Sequence, residues 1–140
     1  MIFHKQILTA VKKLDIFDKI KMVILFGSQA KGDSTEHSDI DLAFFLEENV
    51  IAESNSLELR SELISILSSD LKKQCDIILI NQAQPLLKYQ IIKYGKLLYI
   101  KNMNYNKFFS RVLKEYFDFR YYLDFHQNIL LEKLKKGGEV

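Results

Sequence analysis

Three aspartates have the type and placement to do chemistry in this chain: Asp39 and Asp41, separated by one residue, and Asp76 further along. Asp39-Ile40-Asp41 opens the β-compatible apolar run that ends at Leu46. Alternate side chains of a strand share a face, so these two carboxylates project together, with Cα atoms roughly 6.5 to 7 Å apart. Crowding two like charges costs about 4 kcal/mol at contact distance in a protein's effective dielectric, a cost that a bound cation removes. Magnesium takes oxygen ligands and is commonly held by one or two carboxylates together with substrate phosphates. Two such ions can clamp the attacking and leaving oxygens of a displacement.

A phosphate-binding partner lies just upstream. Gly27 follows the apolar run Met22–Phe26 and lets the backbone approach a phosphate closely, while Ser28 offers a hydroxyl and an amide. Lys31 adds a positive charge to the same turn, with less weight than Gly27 and Ser28. Asp76 heads another apolar run, and its side chain points opposite to those of Cys75 and Ile77; it completes a carboxylate trio if the two strands are neighbours. The turn from Gly27 to Gly32 also matches the first half of a P-loop, but Asp33-Ser34 stands where that motif needs Lys followed by Ser or Thr.

The elements that must position these residues follow from periodicity. Ile7, Leu8, Val11 and Leu14 predict an amphipathic helix over about 3–17, and Met22–Phe26 a strand buried on both faces. Asn55 with Glu58 forms a capping pattern for a helix to about Leu71. Cys75–Ile80 reads as a third strand. Pro85 then starts a helix through Tyr94 that Gly95 ends, and Leu97–Ile100 is a short final strand. Residues 105–136 lack Gly and Pro, carry lysines at their end and form one long helix. The fold class expected is α/β (α+β), a small mixed sheet flanked by helices. The chain reads as one domain over 1–140, with a core over about 1–102 and the long C-terminal helix after it.

Bulk properties narrow the function. A chain of 140 residues, 48% hydrophobic, fits one core. Twenty basic against 18 acidic residues leave a net charge of +2, no footprint for sequence-independent nucleic-acid binding. No stretch of 18 apolar residues or signal-type run occurs, so a cytoplasmic protein without membrane segments is expected. The single cysteine, Cys75, reads as a small core residue, and His4, His37 and His126 share no metal-ligand spacing.

Gly27-Ser28, ten further residues, Asp39-Ile40-Asp41 and the downstream Asp76 together resemble the minimal nucleotidyltransferases of the DNA polymerase β superfamily. The segments Asp76–Asn81 and Gly95–Tyr99 and the final helix extend the resemblance to MNT-domain antitoxins, which are encoded with HEPN-domain ribonuclease toxins. That resemblance implies Asp39 and Asp41 as ligands of both magnesium ions, Asp76 as third ligand and general base, and Gly27 and Ser28 as holders of the ATP triphosphate. It further implies transfer of AMP to a tyrosine of the toxin, and a hetero-oligomer with it. Gln29 and Lys31 stand where related sequences commonly have arginines.

Two other readings remain open from the sequence. One is a binding module that neutralises the toxin by occlusion, suggested by the aromatic residues of the last helix, which either face a partner or pack internally. The other is a small-molecule nucleotidyltransferase, whose acceptor generally needs an additional domain.

Overall fold

The computed structural model describes residues 4–27, 39–53 and 55–137. Its elements are α1 (His4–Lys12), β1 (Ile20–Phe26), β2 (Ile40–Leu46), α2 (Glu48–Glu53), α3 (Ser56–Leu71), β3 (Cys75–Leu79), α4 (Pro85–Tyr94), β4 (Lys96–Ile100) and α5 (Tyr105–Gly137). The strands form a mixed sheet in the order β3-β2-β1-β4, with β1 antiparallel to both neighbours and β2 parallel to β3.

Alternation along the strands divides the apolar side chains between two faces. On one face Val23, Leu25, Leu42, Phe44 and Ile77 bury against Ile7 and Val11 of α1 and Leu63 and Leu67 of α3. On the other, Met22, Ile24 and Ala43 meet Ile91 and Ile92 of α4 and Phe108 and Val112 of α5. A register shift between Ile20 and Met22 lets Ile20 serve the first face although it stands two residues from Met22.

Local chemistry sets the helix limits. Asn55 Oδ1 accepts from the amides of Leu57 and Glu58 at 3.0 and 3.3 Å and so starts α3. Pro85 occupies the first turn of α4. Gly95 ends α4 as expected, but for another reason than a left-handed cap: its φ is −80°, and a Cβ there would collide with the Ile24 side chain and the Ile91 carbonyl. The first helix is shorter than its periodicity predicts. It stops at Lys12, and short-range bonds from Leu14 N to Val11 O (3.1 Å) and from Phe17 N to Leu14 O (3.1 Å) turn Leu14 inward and lay Phe17 on Tyr99. The six-residue α2 was not foreseen; too short for a periodic signal, it packs Val50 and Ile51 on the core.

The side-chain amide of Asn81 extends the sheet where β2 ends. Its Oδ1 accepts from Leu46 N at 3.0 Å and its Nδ2 donates to Leu46 O at 2.9 Å, so both backbone groups of a fully buried residue are satisfied by one side chain. Asn81→Ala therefore strands a buried donor and acceptor, and urea unfolding should show a loss of about 2 kcal/mol with an unchanged m-value. An unaltered midpoint would mean that water replaces the amide.

Candidate active site

The parallel pairing of β2 with β3 sets Asp41 directly beside Asp76. The antiparallel pairing of β1 with β2 sets Phe26 beside Asp41 on its other side. Gly27, the next residue, has φ +73°, and a Cβ on it would run into Asp41 Oδ2. Its lack of a side chain is thus what lets the turn after β1 close against that carboxylate. Asp39 stands exposed just before β2. Asp41, Asp76 and Gly27 come together at one end of the sheet, and Asp39 is near enough for its charge to act on Asp41. Ser28 and Lys31, and the rest of the turn expected through Gly32, lie outside the described residues.

Electrostatics register this convergence. Burial, then the charge of Asp76, then that of Asp39 push the pKa of Asp41 upward. The half-exposed Asp76 is restrained by a residue that sequence reasoning missed. Arg60 Nη2 donates to Asp76 Oδ1 at 3.0 Å, the Ile77 amide donates to the same oxygen at 2.9 Å, and Arg60 Nε donates to the Ile77 carbonyl. Since β3 is an edge strand, the outward backbone groups of Cys75 and Ile77 need partners from elsewhere. From α3, Ser68 Oγ takes the Cys75 amide at 3.0 Å and Arg60 takes the Ile77 carbonyl, then reaches round the edge to Asp76. In the sequence Arg60 is an ordinary basic residue in the second turn of a helix; only the edge position of β3 gives it a role.

The donor chemistry suits magnesium, because crowded carboxylate oxygens with a raised Asp41 are relieved by a hard cation. Among the described residues no three His, Cys, Asp or Glu side chains form a ready-made metal cage. A site of one or two carboxylates completed by nucleotide phosphates is the arrangement these residues fit. Cys75 is a free, buried thiol whose pKa burial raises, and His126 packs against Tyr122 and Phe125. His37 lies outside the described residues.

The raised Asp41 pKa has a definite effect on stability. The folded state binds this proton more tightly than the unfolded chain does, so its stabilisation is present at low pH and lost as pH rises through the raised value. Asp41→Asn removes the dependence. In unfolding experiments without metal between about pH 4 and pH 7, the stability of the Asn variant relative to the unaltered protein should increase with pH. A difference independent of pH would mean that Asp41 is not crowded.

Comparison with known proteins shows the family. Residues 5–104 match the family described as Polymerase beta, Nucleotidyltransferase. The chain is 31% identical over 104 residues to protein adenylyltransferase MntA of Aphanizomenon flos-aquae (strain 2012/KM1/D3), spanning 67% of each. Among solved structures it is similar to a toxin–antitoxin with AMP-PNP (TM-score 0.72, 22% identity, 96% of this chain and 99% of the other). It is similar also to the complex of tri-AMPylated Shewanella oneidensis HEPN toxin with MNT antitoxin (TM-score 0.66, 21% identity, 95% and 99%). The structural likenesses establish the fold, and no helix among the described residues is long and apolar enough to cross a membrane. With the match over residues 5–104 and the MntA homology, the chain belongs to the polymerase β nucleotidyltransferase family.

Proposed function

We propose that this chain is a magnesium-dependent protein adenylyltransferase that acts as an antitoxin in the cytoplasm, moving AMP from ATP onto a tyrosine hydroxyl of a cognate HEPN-domain ribonuclease toxin. The observation that carries this reading is the pairing of Asp41 with Asp76 against the side-chain-free backbone of Gly27. The adenylyltransferase activity of the MntA relative and the AMPylated toxin bound to a structurally similar antitoxin support it.

In this reading Gly27 and Ser28 receive the triphosphate and Lys31 adds positive charge beside it. Asp39 and Asp41 are the residues that would hold magnesium, one or two ions, together with the phosphates, and Asp76 is the third carboxylate. The metal, when bound, neutralises the triphosphate and polarises the α-phosphate. The tyrosine oxygen forms a bond to the α-phosphorus as the bond to pyrophosphate breaks. The electron pair leaves on pyrophosphate, and the hydroxyl proton passes to Asp76. Arg60 and the Ile77 amide already occupy Asp76 Oδ1, so the oxygen for that proton is Oδ2. Positioning and charge neutralisation account for most of the acceleration such a transfer needs.

A second mode of neutralisation is favoured by α5. Against α4, Tyr116 stacks on Tyr89, with centroids 4.1 Å apart, and Lys88 pairs with Glu115 at 3.4 Å. Beyond that point Phe117, Tyr121, Tyr122 and Phe125 are all more than half exposed. An aromatic helix left in water suits a protein partner, and occlusion by α5 is compatible with catalysis.

The test incubates the chain with magnesium, α-labelled ATP and the toxin, and follows label by gel and mass spectrometry. Label on a toxin tyrosine is expected, and Asp39→Asn/Asp41→Asn should reduce its rate at least about a thousandfold, an effect of roughly 4 kcal/mol on the barrier. Protection from the toxin without label, undiminished in the double variant, would leave occlusion as the mechanism.

A further inference from the structure

At the active end of the sheet, strand order fixes a sequence of chemical groups: Gly27 closes β1, Asp41 stands on β2 and Asp76 on the edge strand β3. Adjacent strands are about 4.8 Å apart, which separates the turn after β1 from β3 by roughly 10 Å. On the far side of Asp76 comes Arg60, and Arg60 forms part of the wall of a groove of about 460 Å³ between the starts of α3 and α4. Leu57, Ile78 and Leu87 line it with apolar surface, and Gln82 and Gln84 add amides. Ile78 lies two residues from Asp76 on the same face of β3. Leu57 is 68% exposed in the first turn of α3, so it contributes nothing to the core.

We propose that this groove is the acceptor site, receiving the tyrosine side chain of the protein partner. The assignment rests on the adenylyl-transfer reading. In-line transfer requires the attacking oxygen and the departing pyrophosphate to lie on opposite sides of the α-phosphorus. With the triphosphate at Gly27 beside β1, the attacking side is that of β3, where the groove opens. The apolar walls match a phenol: the ring packs on Leu57, Ile78 and Leu87, and the hydroxyl points along Arg60, which lines the groove and holds Asp76 Oδ1, toward Asp76. As its oxygen bonds to the α-phosphorus and pyrophosphate leaves with the electron pair, the proton moves to Asp76. A nucleotide base in the groove would put the nucleotide on the side the acceptor must occupy.

The test is steady-state transfer to the toxin with Leu57→Glu and Leu57→Ala, alongside the unaltered chain. An exposed position tolerates both changes, so melting temperatures should stay within about a degree or two, as for substitutions away from packed groups. For Leu57→Glu the KM for the toxin should rise about tenfold or more, the equivalent of ~1.4 kcal/mol, with the KM for ATP unchanged. Leu57→Ala should fall between. In parallel, a benzophenone amino acid at position 57, with magnesium and a non-hydrolysable ATP analogue, should cross-link a toxin peptide that contains the modified tyrosine. An unchanged toxin KM, a raised KM for ATP alone, or a cross-link to a peptide remote from that tyrosine would each overturn the assignment. Absence of transfer by the unaltered chain would overturn adenylyl transfer itself and the acceptor site with it, an outcome distinct from transfer that ignores Leu57.

Discussion

The parallel register of β2 and β3 places Asp41 beside Asp76, and the rest of the site is arranged around that unfavourable proximity. Two carboxylates on neighbouring strands, with Asp39 one alternate residue away, are an electrostatic cost that hydrophobic packing of the sheet must carry. The sheet can do so because its two faces bury apolar residues almost continuously from Val23 to Leu25 and from Leu42 to Phe44. At the same end, Gly27 removes the side chain that would otherwise displace the Asp41 carboxylate. Packing of the sheet thus maintains a concentration of negative charge at this end.

Edge protection and site geometry are joined in one residue. An edge strand leaves outward backbone groups that invite pairing with other chains, and α3 supplies Ser68 and Arg60 to satisfy them. The same Arg60 side chain continues to Asp76 and fixes one of its oxygens. The Arg60–Asp76 pair is substantially exposed, so its worth lies in orientation more than in stability. The groove beyond Arg60 then lies on the side of the sheet end opposite to Gly27.

Asp39 and Asp41 were legible in the sequence because an alternating Asp-Ile-Asp at the head of an apolar run needs only strand periodicity to be interpreted, whereas the place of Asp76 beside Asp41 depended on the pairing of β2 with β3. The capping by Asn55, the start of α4 at Pro85 and the long α5 were legible for the same local reason. Arg60 was not, since its meaning depends on β3 being an edge and on α3 lying beside it, neither of which periodicity reports. Gly95 was placed correctly for a different physical reason, the close approach of Ile24 and the Ile91 carbonyl. The end of α1 was not legible, since Leu14 and Phe17 reach the core by tight turns that imitate helical spacing. In α5, Phe108 is buried on the sheet beside Val112, while Phe117, Tyr121, Tyr122 and Phe125 are exposed, a division that the helical periodicity alone does not report.

In the proposed function, a cation and a nucleotide together complete the carboxylate cluster. Calorimetric titration of a non-hydrolysable ATP analogue, with magnesium and then in excess EDTA, tests it most directly. Tight binding with magnesium and a loss of at least about a hundredfold in EDTA, the equivalent of ~2.7 kcal/mol, is the predicted result. Equal affinity under both conditions would contradict it, because the crowding of Asp39, Asp41 and Asp76 would then have no part in holding the nucleotide.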